Sequence, residues 1–175
     1  MNPEPVNSFK RISLSKAKQI TIFRRDRWLC RWCAKPVIFA PVMHLLEREV
    51  RKSGFDGPLA YYHAHGTRDG APLLDELWAV LDHADPLSAG GPTDEKNLLT
   101  ACNKCNGRKN NTPRNVYEAR PKRKPIKGKY GAPLHWDGLS ILFTVLAQRD
   151  ASELSASERQ WLKALIAKGE LGHPE

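Results

Sequence analysis

The sequence predicts an α+β fold, and three observations carry that reading. Two C-x-x-C pairs are present, Cys30/Cys33 and Cys102/Cys105; an extended–loop–extended–helical order runs from Ala79 to Asn111; and two amphipathic helical stripes follow residue 135. The 175 residues suffice for one ordinary domain, and 41% hydrophobic with 27% charged residues allows a buried core, which excludes a disordered or collagen-like polymer. No apolar run approaches the roughly 18 residues needed to cross a bilayer, so no membrane partner is expected. Met1 to Lys18 shows no apolar stretch ahead of a small-residue cleavage site, and a cytoplasmic location is expected. Thiols stay reduced there, so the paired cysteines read as metal ligands before disulfides.

The elements follow in order. Ser15 can cap a helix from Lys16 to about Arg25 with Ile20 and Phe23 turned inward. Arg27 to Pro36 is short, turn-rich and aromatic, as in a zinc-knuckle hairpin. Pro41 suits the first turn of a second helix whose apolar positions Val42, Leu45, Leu46 and Val50 recur near the helical period until Gly54. Tyr61 to Pro72 reads as loop and Leu73 to Trp78 as a short helical or extended piece, so the 48 positions between Cys33 and Asp82 form an insertion. Ala79 to Ala84 reads as a strand ended by Pro86 and a Gly90-Gly91-Pro92 turn, Asn97 to Ala101 as its returning partner, and Lys104 to Asn111 as a short helix stopped by Pro113. Leu139, Leu142, Phe143 and Leu146 mark one further helix. Trp161, Leu162, Leu165 and Ile166 mark another, behind a Ser155/Glu158 capping box and before Gly169. These stripes read as packing, with a homodimer or a protein partner as their alternative use.

Four thiolates on two knuckles match the closed tetrahedral coordination of a structural zinc, although the 68 residues between the pairs exceed the gap of a compact zinc ribbon. Charge is also unevenly distributed. Twenty-eight Lys and Arg against 19 Asp and Glu give +9. Leu99 to Tyr130 holds ten basic residues and one acid, so the rest of the chain is neutral. That concentration suits a polyanionic partner, with a solvated linker as the bland alternative for Arg120 to Lys129.

From Asp82 to Lys109 the chain reads DHADPLSAGGPTDEKNLLTACNKCNGRK. Its Asp-His, Gly-Gly turn, Asn-Leu and Cys-x-x-Cys-Asn-x-x-Lys stand in the order of the HNH endonuclease superfamily, which the chain resembles over Arg25–Cys33 and Val80 to about Thr112. The resemblance implies a treble-clef-like ββα-metal core, stapled by zinc at Cys30, Cys33, Cys102 and Cys105 and carrying a helical insertion and a C-terminal helical extension. It implies DNA phosphodiester hydrolysis that leaves 5′-phosphate and 3′-hydroxyl ends. His83 is then the general base, Asp82 and Asn106 hold a catalytic divalent cation, and Asn97 positions the base and its loop. Asn106 stands where the name-giving pattern has its last His; some members carry Asn there as a ligand.

Elementary chemistry leads to the same residues. An imidazole with an ordinary pKa near 6.5 can take a proton from water at neutral pH. Hard oxygen donors from Asp82 and Asn106 favour Mg²⁺, or Mn²⁺, over zinc. Because neighbouring strand residues point to opposite faces, Asp82 and His83 converge on one phosphate only if the strand twists or ends there. Lys104, Arg108, Lys109, Asn110, Lys122, Arg123 and Lys124 are the expected nucleic-acid contacts. His63 and His65 read as a polar loop over the site or against DNA rather than as a metal pair. The expected organisation is a nuclease domain over 1–113 (core 25–33 and 79–112, insertion 34–78), a basic linker over 114–135 and a helical extension over 136–175. The same features also suit a non-catalytic zinc-finger module that binds nucleic acid, or a nuclease directed at RNA.

Overall fold

A computed structural model of the chain describes residues 13–57, 73–117 and 135–169. The expectations for His63, His65, Lys122, Arg123 and Lys124 lie outside the described residues. The architecture is α+β. Among the described residues, six α-helices, α1 (Lys16–Arg25), α2 (Ala40–Lys52), α3 (Leu73–Glu76), α4 (Asn103–Lys109), α5 (Ser140–Arg149) and α6 (Ala156–Ala167), surround a two-stranded antiparallel sheet of β1 (Ala79–His83) and β2 (Leu98–Cys102).

Local chemistry explains the boundaries. Ser15 accepts the Lys18 N–H to open α1. α2 starts at Ala40, one residue before the expected proline, because Pro41 needs no intrahelical donor in the first turn. Gly54 follows α2 at φ +89°, a conformation that favours a residue without Cβ. β2 runs Leu98–Cys102 rather than Asn97–Ala101: Cys102 still pairs with Ala79, while the Asn97 side chain is spent on the preceding loop. Cys102 then becomes the N-cap of α4, its sulfur accepting the Cys105 N–H at 3.4 Å. At α6 both halves of the expected capping box form, Ser155 Oγ with the Glu158 N–H and Glu158 Oε2 with the Ser155 N–H.

The sheet is tied on both edges. β2 is buried along its whole length, and its outer edge is covered by the knuckle: the Arg31 N–H donates to Thr100 O at 2.8 Å, and the Thr100 N–H donates to the buried Asp26 carboxylate at 2.8 Å. The start of β1 is held by Ile38, which bridges Trp78 in parallel.

Phe39 is the hub of the core. Its ring meets Trp28 at 5.9 Å, Phe143 at 5.1 Å and Trp161 at 5.0 Å, all edge to face, so the segment after Cys33 and both C-terminal helices share one apolar interior. α6 packs on α1, and α5 packs on α2 and α6. The stripe residues Phe143, Trp161 and Leu165 are buried as the periodicity predicts, whereas Ile141, Leu142, Val145 and Ile166 remain exposed. The C-terminal segment is also latched by backbone: Trp136 Nε1 donates to Val37 O at 2.7 Å, and the Phe39 N–H donates to Gly138 O at 2.8 Å. Gly138, at φ +70°, lies so close to Trp28 that a Cβ would sit 2.4 Å from the indole.

Across α2 and α6 the Arg48 guanidinium grips the buried Glu158 carboxylate in two contacts, of 3.0 and 3.2 Å. Burial works against that charge, but hydrogen bonds from Ser155 and the charge of Arg48 hold the Glu158 carboxyl below its ordinary value. A carboxylate depressed in the folded state contributes stability above its unfolded pKa, near 4.3, and loses it as pH falls further. Glu158→Gln is therefore expected to cost about 1–3 kcal/mol at neutral pH, and the gap from wild type should narrow below about pH 4; denaturant unfolding at pH 7 and pH 3.5 measures both.

Candidate active site

Two sequence segments meet at four sulfurs. Cys30 and Cys33 sit on the knuckle hairpin, which is closed by the Leu29–Pro36 bridge, by the Cys30 N–H to Lys35 O, and by Ala34 in the left-handed region at φ +57°. Cys102 ends β2, and Cys105 lies in the first turn of α4. All four Sγ atoms lie within 4.8 Å of one another, and none is in a disulfide. The soft donor set and the closeness of the four sulfurs fit a zinc ion, whose four-thiolate coordination would leave no open position for chemistry. Crowded thiols divide their protons unequally. Hydrogen bonding from Cys102, then Cys105, pulls Cys30 far below the ordinary thiol range, while its bond with Cys102, its bond with Cys30 and burial push Cys105 up. A bound dication would remove that conflict by favouring every thiolate.

The knuckle reaches directly into the sheet. Between its two cysteines, Trp32 sends Nε1–H to Asp82 Oδ2 at 2.7 Å, and both side chains are buried. The other carboxylate oxygen, Oδ1, faces Lys109 Nζ at 3.4 Å. Lys109 is 0% exposed; its ammonium donates to His83 O at 2.6 Å and lies 5.5 Å from the centre of the Trp32 ring, which also meets Tyr117 edge to face. Burial raises the Asp82 carboxyl above its ordinary value, opposed by the Trp32 hydrogen bond, the Lys109 ammonium and the His83 imidazole. Asp82 is thus an enclosed anion beside a resident cation.

His83 closes β1 and is half-buried, with Nε2 3.0 Å from Thr93 Oγ1 on the connecting loop. That loop is built by Asn97. Its Oδ1 accepts the Asp85 N–H at 2.9 Å, and its Nδ2 donates to Asp85 O and Pro92 O, both at 2.8 Å. Asp94 caps the return by accepting the Lys96 and Asn97 N–H groups, and Ala84 N–H donates to Asn97 O. Gly91 passes so near that a Cβ would lie 1.9 Å from Asp85 O and 2.8 Å from Asn97 Nδ2. The strand ends at His83, as the reading of Pro86 anticipates. Asp82 faces the knuckle and α4, and His83 faces its loop.

The remaining residues divide. Asn106 is half-buried on α4, the helix that carries Lys109, and its carbonyl accepts the Asn110 N–H. Arg108 and Asn110 are exposed at the end of α4. Lys104 is held by both oxygens of Glu76, at 2.6 and 2.7 Å. Lys109, expected among the nucleic-acid contacts, is corrected to an interior residue: with no exposed surface it cannot meet a phosphate backbone in this arrangement. Trp32 and Thr93 were not expected at the site. An aromatic residue inside a C-x-x-C pair is a visible sign of Trp32, but nothing in the sequence shows that Thr93, ten positions from His83, folds back onto the imidazole.

Gly91→Ala is expected to expel the Asn97 amide from its loop and to remove any His83-dependent activity by at least tenfold while four-thiol metal binding persists; metal analysis paired with an activity assay checks it. Cys102→Ser removes one thiolate from the centre while its hydroxyl can still cap α4, so metal should be lost and cooperative unfolding abolished through the centre alone, as read by elemental analysis and thermal denaturation.

The chain matches no curated protein and no solved structure. Residues 74–112, which hold most of α3, both strands, the Asn97 loop, α4 and the second cysteine pair, match the family model described as HNH endonuclease. Over that stretch, which also holds His83 at the strand end and Asn97 in the loop and adjoins the four-cysteine centre, the chain is similar to the HNH endonucleases.

Proposed function

We propose that the protein is a metal-dependent endonuclease that hydrolyses DNA phosphodiester bonds. The observation that carries this reading is the placement of His83: a half-buried imidazole at the end of a strand, facing a loop that the Asn97 side chain holds with three hydrogen bonds. In the resting protein the Thr93 hydroxyl occupies hydrogen-bond range of Nε2. A water taking a comparable place would be aligned to give its proton to the ring as it attacks phosphorus. Asn97 keeps the loop, and therefore the imidazole, from drifting during that transfer.

Asp82 and Asn106 are the oxygen donors that would hold Mg²⁺ or Mn²⁺; their chemistry fits a hard ion, and Asp82 already neutralises a positive charge on Lys109. When bound, such an ion supplies positive charge where the phosphate and the departing oxygen become more negative. Trp32 fixes the Asp82 carboxylate through Oδ2. The exposed Arg108 and Asn110 on α4, with Arg114, whose N–H lies 3.3 Å from Asp85 Oδ1, flank the site and would hold the DNA backbone without reading its sequence. The charge excess between Leu99 and Tyr130 supports a salt-sensitive grip on a polyanion.

The expected outcome with plasmid and Mg²⁺ is cleavage by the wild type and a loss of about 10²–10⁴-fold in His83→Ala with bound zinc unchanged. Nicking that survives the substitution would remove His83 from its role. Preferential cleavage of structured RNA in a parallel incubation would reassign the substrate.

A further inference from the structure

Resting on the reading of Asp82 as a cation ligand, we propose that the Lys109 ammonium is a resident counter-ion that competes with the divalent metal for Asp82 and must leave the carboxylate when metal binds. The argument begins with how differently the two carboxylate oxygens are held. Oδ2 is fixed by Trp32 Nε1 at 2.7 Å, whereas Oδ1 faces Lys109 Nζ at 3.4 Å, longer than the roughly 2.7–2.9 Å of a good charge-assisted bond. The short contact of the ammonium goes elsewhere, to His83 O at 2.6 Å. Lys109 therefore supplies charge to Asp82 without engaging it tightly, and Oδ1 is the oxygen a metal could take.

The ammonium and a dication cannot share that oxygen comfortably. Both are positive, and at 6% side-chain exposure for Asp82 and none for Lys109 there is little water between them to screen the repulsion. The lysine has a way out. It stands in the last turn of α4, next to the exposed cap residue Asn110, and its flexible four-carbon stem can carry the charge from the interior to solvent. Metal occupancy is thereby coupled to exposure of one lysine. In the metal-free protein the buried carboxylate is never left unpaired, which keeps the site assembled in both states.

The zinc-loaded protein can be titrated with Tb³⁺, a hard-ion probe, reading luminescence excited through tryptophan. Trp32 touches Asp82 and should be the main sensitiser among the five tryptophans, so Trp32→Phe should weaken the emission. Lys109→Met, similar in length but uncharged, should bind Tb³⁺ about tenfold more tightly, and Asp82→Asn should bind it at least tenfold more weakly. Equal or weaker binding in a Lys109→Met protein that keeps its zinc and helical content overturns the proposal. Should that variant lose zinc or fold, the wild type decides alone. Amine-reactive labelling read by mass spectrometry should find Lys109 protected without Mn²⁺ and reactive at saturating Mn²⁺, and unchanged labelling overturns the proposal. Neither readout needs cleavage. Metal-dependent exposure of Lys109 without nuclease activity would refute the proposed function and leave the competition standing; Asp82-dependent cleavage with Lys109 permanently protected would do the reverse.

Discussion

Closure of the chain at four sulfurs is the constraint on which the remainder rests. Cys30 and Cys33 on one hairpin must meet Cys102 and Cys105 at a strand–helix junction, and that meeting sets the Arg31 backbone against the outer edge of β2 and Trp32 against Asp82. Neither contact could form from the two segments floating independently. A hairpin of ten residues has too little apolar surface to hold its own shape, and a two-stranded sheet is marginal in water, so each stabilises the other through the shared centre. The thiols thus do more than clip two pieces of chain: they determine that Trp32 reaches the Asp82 carboxylate.

Buried charge is the second organising feature. Asp82 and Lys109 are both withdrawn from water, and a pair of this kind contributes little net stability against a well-packed apolar alternative, while deleting either partner alone costs about 3–5 kcal/mol. Its value is positional. The ammonium ties the last turn of α4 to the terminal carbonyl of β1, and so fixes the helix bearing Asn106 to the strand bearing His83. Asn97 performs the equivalent task for the loop, using backbone acceptors and a donor that an unfolded loop would leave to solvent.

Much of this arrangement was legible in the sequence, for identifiable reasons. Capping chemistry acts over three or four residues, and the caps at Ser15 and Ser155 form as read. Strand–loop–strand–helix order follows from short-range punctuation by Pro86, the two glycines and Pro113, and the observed boundaries differ by a residue or two. The cysteine centre was legible because sulfur pairs have few other uses in a reduced chain. What sequence could not reveal were contacts between distant positions whose residue types are common: Thr93 on His83, Trp32 on Asp82, and Lys109 turned inward. Lysine in a basic stretch at helical spacing ordinarily faces solvent, and here the Asp82 carboxylate and the His83 carbonyl reverse that preference. Likewise Phe39 carried no sign of being the hub, because its neighbours come from the turn after α1 and from the two C-terminal helices.

The latch between Trp136 and Val37 joins positions 99 residues apart, and the rings of Phe143 and Trp161 close over Phe39 across a still greater span of chain. Contacts so remote in order are slow to find, because a long loop must close before they return any stabilisation. A chain emerging N-terminus first would expose its strand, its loop and all four cysteines well before the aromatic lid arrives. Its interior stays open to water until Phe143 and Trp161 pack over Phe39, so the packing around the four sulfurs is completed late in the order of the chain.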